Sequence, residues 1–410
     1  MKRYVIIGNG VAAVGCIEGI RSADTEGEIT VVSREPRPAY CRPLISYYLE
    51  GKAGADRMGY RAPSFYEEAG CRVLYGKSAV SVDPAAKTVT LDDGAALPYD
   101  ALCVAAGSAP FVPPFEGLDT VKEKYTFMTM DDALALEQAT ETPKDVLIVG
   151  AGLIGLKCAE GLRGRARSIT VCDLADRVLS SILDTEGAET VRAHLERHGL
   201  RFLLGNTVTR FAGNTAEMKN GERVSFDVLV LAVGVKPNAA LVKALGGDGA
   251  RGIAVNERME TSVPGIYAAG DCAEGEDVSC GRRRVLAILP NAYLQGYAAG
   301  ANMAGGAAAF DNAIPMNAIG FFGLHIMTAG TYAGETVEEK NENGRRKFFT
   351  EDGLLKGFIL IGETGRAGIY TSLIRNKTPL RSIDFDLLRN VATTAAFPAE
   401  TRARMFGEVV

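Results

Sequence analysis

One pattern occurs twice in this chain, and it constrains the fold more than any other feature. Residues 4–15, YVIIGNGVAAVG, correspond to residues 146–155, VLIVGAGLIG. Each segment is a short apolar run that ends in glycines and passes into a helix-like pattern, which is typical of a strand, a tight turn and a helix N-terminus. A repeat at matching spacing is much harder to obtain by chance than a single motif. The chain is therefore expected to contain the same α/β unit twice.

Two further pairs of segments repeat behind the glycine motifs. ITVVSREP at 29–36 corresponds to ITVCDLAD at 169–176, and DALCVAAGSAP at 100–110 corresponds to DVLVLAVGVKP at 227–237. Buried apolar strands that alternate with helices predict a mostly parallel, doubly wound sheet. The predicted fold class is α/β, with two Rossmann-like dinucleotide-binding domains.

The glycines suit a bound dinucleotide. The first permits a tight turn, the second lets the backbone approach a pyrophosphate, and the third position lets the helix pack on the strand. These positions are Gly8, Gly10 and Ala13 in the first unit and Gly150, Gly152 and Gly155 in the second. A purely structural turn is the alternative for a lone triplet, and two triplets in the same context reduce it to a minor one.

The acid after the second strand decides which nucleotide fits, because a carboxylate accepts hydrogen bonds from a ribose diol and repels a 2′-phosphate. In the second unit it is Asp173, followed by Leu174 and not by an arginine, which favours NAD over NADP. In the first unit Ser33 holds that place and the nearest acid is Glu35. A solvated loop glutamate is the alternative for Glu35.

A third element, TSVPGIYAAGDCAE at 261–274, predicts a buried strand whose end presents Gly270 and Asp271 to a cleft. An acid there can hydrogen-bond a sugar-like chain. A helix-capping aspartate is the alternative.

Composition excludes several classes of function. A net charge of -5, with Arg282–Arg284 as a single basic triplet considered for docking, gives no footprint for nucleic acid. Eight cysteines without a CxxC pair argue against zinc, iron–sulphur and adjacent redox-disulfide sites, and predict buried free thiols. The short apolar run after MKRY fits neither a secretory signal nor a membrane helix, so a cytoplasmic location is expected.

The histidines give weak signals. His194 and His198 have the i, i+4 spacing of a helical metal pair, but without a third ligand nearby a solvent-facing pair is favoured. His325, in an apolar strand pattern, is predicted to be a core histidine.

Taken in order, the segments GNGVAA, YCRPLIS, AAGSAP, GAGLIG, AVGVKPN and YAAGDCA resemble the pyridine nucleotide–disulfide oxidoreductase superfamily over roughly residues 1–310. YCRPLIS and the C-terminal GFILIGETGRAGIYTSLIRNKTPL are similar to its NADH:rubredoxin oxidoreductase and nitrite-reductase flavoprotein branch. GLIGLKCAEGL is also similar to the flavoprotein electron-transfer subunit of phenylglyoxylate dehydrogenase.

The resemblance implies that FAD binds the first unit and NAD the second. It places Gly8, Gly10, Arg42, Gly107 and Asp271 near FAD, with Asp271 on the ribityl chain. Near NAD it places Gly150, Gly152, Gly155, Asp173 and Gly234.

The implied domain organisation is discontinuous. It comprises a FAD-binding domain (1–111 and 241–311), an inserted NAD-binding domain (112–240), a small C-terminal α+β domain (312–385) with a helix near 366–376, and a tail (386–410) with helix-like patterning. In relatives the C-terminal domain packs beside the flavin and often makes a homodimer interface.

Two departures from the family pattern matter. Relatives that act as oxidases, peroxidases or CoA-disulfide reductases carry an active cysteine where this chain has Pro43, and Cys41 lies two residues earlier. Many relatives also pair a lysine with a glutamate beside the flavin, at the positions of Tyr47 and Lys157. Tyr47 and Lys157 are therefore the candidate catalytic residues. The positive charge beside the flavin would come from Lys157 on the helix after the second glycine motif, and not from the segment that contains Tyr47. The alternative is that Lys157 faces solvent.

The predicted function is hydride transfer from NADH to FAD, followed by electron release to an iron–sulphur or rubredoxin-type carrier or to a partner oxidoreductase subunit. One alternative is a flavin NAD(P)H oxidase, peroxidase or disulfide reductase that uses Cys41. Another is a nucleotide-binding regulatory subunit without turnover. Arg282–Arg284 are either a solvated loop or a docking patch for an acidic carrier.

Overall fold

The computed structural model describes residues 1–342 and 344–407. Its first elements are β1 (Arg3–Ile7), α1 (Val11–Ala23), β2 (Glu28–Ser33), α2 (Ile45–Leu49), α3 (Phe65–Glu68), β3 (Cys71–Tyr75), β4 (Ala79–Asp83), β5 (Thr88–Leu91), β6 (Ala96–Pro98), β7 (Ala101–Val104), β8 (Ser108–Pro110), β9 (Lys124–Tyr125) and α4 (Met130–Ala139).

The middle of the chain forms β10 (Lys144–Val149), α5 (Leu153–Leu162), β11 (Ala166–Asp173), α6 (Thr185–Arg197), β12 (Leu200–Leu204), β13 (Val208–Ala212), β14 (Thr215–Met218), β15 (Arg223–Ser225), β16 (Val228–Leu231), β17 (Val235–Pro237), α7 (Ala240–Lys243), β18 (Ile253–Ala254), β19 (Ile266–Ala268), β20 (Ala273–Asp277), β21 (Arg282–Arg284) and α8 (Leu289–Met303). The last elements are β22 (Met316–Phe321), β23 (Leu324–Gly330), β24 (Glu335–Asn341), β25 (Gly344–Glu351), β26 (Leu354–Gly362), α9 (Ala367–Arg375), α10 (Phe385–Asn390) and α11 (Ala399–Gly407).

Two five-stranded parallel sheets repeat one arrangement. Their strand orders are β19-β7-β1-β2-β3 and β12-β11-β10-β16-β9. In each sheet the strand before the glycine turn is central, and the next strand pairs with it in parallel, with Ile6 opposite Val31 and Ile148 opposite Val171. All four of these side chains are fully buried, as expected of strands in a parallel sheet. The predicted α/β fold with two Rossmann-like units is confirmed.

Helix α8 packs against α1 in backbone contact. A Cβ atom on Gly296 or Gly300 would lie 2.0 Å from the carbonyl oxygen of Ala12 or Cys16, so only glycine permits this approach. Because α8 follows the Gly270–Cys272 turn, this packing holds that turn beside the first glycine motif.

The chain divides into two compact regions. The first region comprises Met1–Ser181, Ala188–Gly275 and Arg283–Asp311 and contains both parallel sheets, and therefore both dinucleotide-binding units. The second region comprises Ile182–Gly187, Glu276–Arg282 and the chain from Asn312 onward. The boundary between a FAD-binding and an NAD-binding domain inside the first region stays a prediction.

The second compact region is built on an antiparallel sheet of order β22-β23-β26-β25-β24. Phe348 and Phe358 of this sheet are buried with Tyr370 of α9, and Leu388 and Phe397 share the same core. The small α+β domain and its helix near 366–376 are confirmed, since α9 spans Ala367–Arg375. The prediction for His325 was wrong: it points to the solvent-exposed side of β23, whose next residue, Ile326, is buried.

The cysteines follow the prediction made from their spacing. All eight are free thiols, five of them buried and three half-buried. Among the residues that the structure describes, no helix has both the length and the apolar character that crossing a membrane requires.

Candidate active site at the glycine turns

The two glycine turns have nearly the same backbone geometry. Gly8 and Gly150 lie in the left-handed region, with φ of +108° and +118°. A Cβ atom on them would lie 2.1 Å from the carbonyl oxygen of Ala105 and 2.2 Å from that of Ala232. Both positions therefore require glycine, for conformation and for space.

The second glycine of each motif leaves room for a ligand. Gly10 and Gly152 are the N-cap residues of α1 and α5, neither helix end has a side-chain cap, and neither has an acid in its first turn. No atom lies within 4 Å of the place where their Cβ atoms would be. Uncapped N–H groups beside open space fit the diphosphate of a dinucleotide.

The third position holds each helix against its own turn. Ala13 is fully buried. A Cβ atom on Gly155 would lie 2.0 Å from the carbonyl oxygen of Gly150, so α5 approaches its turn more closely than any other residue would allow.

Asp173 lies at the end of β11, next to the second turn. Its carboxylate accepts hydrogen bonds from the backbone N–H groups of Ala151, at 2.6 Å, and Ala175, at 2.8 Å. Leu174 follows and is 68% exposed. A carboxylate and an exposed apolar side chain thus stand at the two positions that are expected to distinguish NAD from NADP.

Glu35 has a different environment in the first unit. Its side chain is 16% exposed, accepts a hydrogen bond from the Tyr40 hydroxyl at 2.8 Å and forms an ion pair with Arg42. Arg42 also donates to the carbonyl oxygen of Met128 at 3.1 Å. The solvated loop glutamate is therefore wrong as an interpretation, because Glu35 orients Arg42. Its contact with a ribose stays a prediction.

Asp271 lies half-buried in the turn that follows β19. Gly270, with φ of +78°, begins this turn, and its N–H donates to the buried Gln295 side chain of α8 at 2.8 Å. The Ser108 hydroxyl donates to the Asp271 carboxylate at 3.3 Å. Burial raises the pKa of Asp271, and the Ser108 bond and the charge of Arg42 oppose that rise. A half-buried carboxylate with acceptor capacity to spare fits a polyhydroxyl chain such as the ribityl group of FAD.

Gly107 and Gly234 occupy equivalent places in the two units. Both have positive φ, +64° and +123°, and no atom lies within 4 Å of their Cβ positions. The strands that follow them, β8 and β17, pair antiparallel with Ser108 opposite Pro237. This pairing joins the two units at the edge where both glycine turns lie.

Lys157 and Tyr47 meet, as the sequence predicted, where α5 crosses α2. The Lys157 Nζ atom lies 4.7 Å from the centre of the Tyr47 ring, and its side chain is 19% exposed. Lys157 also forms an ion pair with Glu160, whose side chain is 6% exposed. The interpretation that Lys157 faces solvent is therefore wrong. The sequence prediction missed Glu160, although an acid three residues after a helical lysine is a recognisable signal.

Cys41 is a packed thiol. It is half-buried before the Arg42–Leu44 turn, and burial raises its pKa, against a smaller lowering by the Leu44 N–H. Since the thiolate is the nucleophilic form, a raised pKa reduces its reactivity at neutral pH.

The remaining candidates lie apart from the glycine turns in sequence and form no metal centre. The rings of His194 and His198 are 4.5 Å apart and half-buried. In the described part of the chain no three His, Cys, Asp or Glu side chains are grouped to hold a metal ion. Arg282–Arg284 form the exposed strand β21 and not a loop.

The sequence profile of the pyridine nucleotide-disulphide oxidoreductase family matches residues 2–296. The chain belongs to this family. Enzymes of the family depend on FAD and NADH, and FAD and NAD are the cofactors of this NAD(P)H oxidoreductase.

Several known proteins are similar to the chain along most of its length. The NADH-dependent phenylglyoxylate dehydrogenase subunit epsilon of Aromatoleum evansii is 32% identical, covering 93% of this chain and 94% of that subunit. The assimilatory nitrate reductase electron transfer subunit of Bacillus subtilis is 31% identical over 88% of this chain, which spans only 48% of that relative. An NADH oxidase of Methanocaldococcus jannaschii is 33% identical over 75% of this chain and 71% of the oxidase.

Solved structures share the fold. The structure described as a covalent putidaredoxin reductase–putidaredoxin complex matches with a TM-score of 0.88 at 24% identity, covering 96% of this chain and 97% of that one. This likeness supports the fold alone.

Proposed function

We propose that this chain takes electrons from NADH at the second glycine turn and passes them, through FAD at the first, to a separate protein. The acceptor is an iron–sulphur or rubredoxin-type carrier, or the catalytic subunit of a larger oxidoreductase. The observation that carries the proposal is the environment of Cys41, a half-buried thiol of raised pKa, with Pro43 where a reactive cysteine would be needed. Two relatives whose names describe them as a subunit of an NADH-dependent dehydrogenase and as an electron transfer subunit support it.

Bound flavin supplies the change from two-electron to one-electron chemistry, because it accepts a hydride and can release electrons singly. The residues of the chain select and position the reactants. Asp173 and Leu174 select NADH over NADPH. Asp271, held by Ser108, and Arg42, held by Glu35, hold FAD. The Lys157 ammonium group, which lies over Tyr47, supplies positive charge at the crossing of α2 and α5.

The test is anaerobic reduction by NADH followed by reoxidation with different acceptors. We expect NADH to bleach the flavin absorbance, and oxidised rubredoxin or a [2Fe–2S] ferredoxin to restore it much faster than O₂, hydrogen peroxide or CoA disulfide. Cys41→Ser should leave carrier reduction unchanged. Bleaching that never occurs would instead support a regulatory subunit.

The second candidate is a flavin oxidase, peroxidase or disulfide reductase that works through Cys41, favoured by the similarity to an NADH oxidase. This candidate predicts that O₂, hydrogen peroxide or CoA disulfide reoxidises the reduced flavin faster than the carriers do. It also predicts that Cys41→Ser abolishes turnover with these small oxidants. Both results together would overturn the proposal of a protein acceptor.

We further propose that β21 docks an acidic carrier. Its three arginines are exposed in a protein of net charge -5, and exposed charge clusters chiefly accelerate encounter. Replacing Arg282, Arg283 and Arg284 with serine should slow carrier reduction about tenfold at low salt and flatten its salt dependence, without changing flavin reduction by NADH.

The matched control replaces three exposed arginines of the second parallel-sheet unit, Arg201, Arg210 and Arg223, with serine, which changes the net charge equally. Equal slowing in both triple variants would show a general charge effect and remove β21 from docking.

A further inference from the structure

Arg37, in the loop after β2, has a buried polar atom without a partner. Its Nη1 atom is buried and has no hydrogen-bond partner among the described residues. Its Nη2 atom pairs with Asp131 at 2.5 Å. A buried N–H of a charged group is costly to leave unsatisfied, so such an atom points to a ligand.

The backbone of Arg37 is attached to the glycine turn itself. Its carbonyl oxygen accepts a hydrogen bond from the Asn9 side chain at 3.4 Å, and Asn9 lies between the two glycines of the turn. The Tyr66 hydroxyl donates to the Asn9 side chain at 2.6 Å and accepts from the N–H of Ala39 at 3.1 Å. The loop after β2 is thus held against the turn whose uncapped helix fits a diphosphate.

Of the two other arginines of this loop, Arg34 is exposed and Arg42 is already engaged. Arg42 pairs with Glu35 through Nη2 and donates to Met128 through Nη1. The first turn of α1 carries no charged side chain of its own. Among the described charged side chains of this loop, Arg37 is therefore the one with a buried N–H that has no partner and can bind an anion.

We infer that Arg37 donates its Nη1 N–H to the diphosphate of FAD, and that Asp131 holds the guanidinium in that orientation. Asp131 lies in the first turn of α4, whose N-cap is Thr129. The loop that follows β2 in the first sheet is thereby linked to α4, the helix that follows edge strand β9 of the second sheet. This inference rests on FAD as the cofactor and is independent of the electron acceptor.

The test measures FAD release from the full-length holoenzyme on dilution, followed by the rise in free flavin fluorescence. Arg37→Gln should raise the dissociation constant of FAD about tenfold or more, as expected for loss of a charge-assisted hydrogen bond. Arg37→Lys should give an intermediate value. Arg34→Gln, an exposed arginine of the same loop, is the matched control and should behave as wild type.

Asp131→Ala tests the positioning role. It should raise the dissociation constant about two- to threefold alone, and add nothing in the Arg37→Gln background, because coupled residues are not additive. Wild-type FAD affinity should also fall more steeply with salt than that of Arg37→Gln.

FAD release from Arg37→Gln at the wild-type rate and extent would overturn the inference. Additive effects of Arg37→Gln and Asp131→Ala would overturn the positioning role. If Arg37→Gln does not fold, wild-type affinity and salt dependence in Arg37→Lys and Asp131→Ala would count against the inference in the same way. A failure of the protein to reduce any carrier would contradict the proposed function, but it would not change these measurements of FAD affinity.

Discussion

The two dinucleotide-binding units share their glycine turns and differ in what surrounds them. In the second unit the carboxylate of Asp173 bonds directly to the N–H of Ala151 in the turn, and the exposed Leu174 stands beside it. In the first unit Glu35 is bonded to Arg42 and Tyr40. The acid expected to face the ligand there is the half-buried Asp271, from a segment far along the chain.

We expect the second site to select between nucleotides through two adjacent residues, Asp173 and Leu174. We expect the first site to hold its cofactor more firmly, because the half-buried Asp271 and the loop that carries Arg37 and Arg42 add to the same kind of glycine turn. We expect this arrangement to suit an exchangeable NADH in the second unit and a resident FAD in the first.

The largest effect is expected in the second unit. Asp173→Ser together with Leu174→Arg should lower kcat/KM for NADH about a hundredfold and move the preference toward NADPH, because a ribose acceptor is lost and a phosphate partner is gained. Stopped-flow reduction of the flavin by each nucleotide measures this.

Asp173→Asn is the control, since it removes the charge and keeps one of the two oxygens that accept hydrogen bonds from the N–H groups of Ala151 and Ala175. Equal efficiency of NADH and NADPH in the wild type would contradict the assignment of Asp173.

A smaller effect is expected at Asp271, the half-buried acid of the first unit. Asp271→Asn should raise the dissociation constant of FAD about tenfold, while NADPH remains a poor substrate. Dilution of the holoenzyme measures the FAD constant.

The same variant should change how the stability of the FAD-free protein depends on pH. Because burial raises the folded-state pKa of Asp271, its contribution to stability is complete below the unfolded pKa of about 3.9 and is lost as pH rises through the folded value. The Tm of the FAD-free Asp271→Asn variant should therefore exceed that of wild type at neutral pH and match it near pH 4. An unchanged difference across that range would show that Asp271 is not the titrating group.

The smallest effect is expected where the two units meet. Lys157→Met should lower the flavin reduction potential by on the order of 30 mV, equivalent to about 1.4 kcal/mol for two electrons, and slow hydride transfer severalfold. Glu160→Gln should raise the potential, because it leaves the lysine charge uncompensated. Spectroelectrochemical titration measures both, with FAD content as the control. Shifts of the same sign in the two variants would place the pair outside the mechanism.

Much of the candidate site could be predicted because it depends on local backbone geometry. Gly8, Gly150, Gly107 and Gly234 all have positive φ, and each stands at a strand end that the repeat located. A glycine at the end of an apolar run can be recognised from a few neighbouring residues, and its lack of a Cβ atom allows the positive φ.

The contacts that distinguish the two units could not be predicted in the same way. Arg37 meets Asp131 across 94 positions of sequence, and Ser108 meets Asp271 across 163. No short pattern encodes such pairs, because they depend on how whole helices and strands pack.

The sequence by itself determined the twofold α/β architecture and the glycine turns, and it predicted a preference for NADH and the place of Lys157 beside Tyr47. The tertiary structure decided which carboxylates are bound to arginine, that Glu160 accompanies Lys157, and that Arg37 has an N–H without a partner among the described residues. The physical reason is that turns and strands follow from neighbouring residues, whereas burial and ion pairing arise only when distant elements exclude water between them.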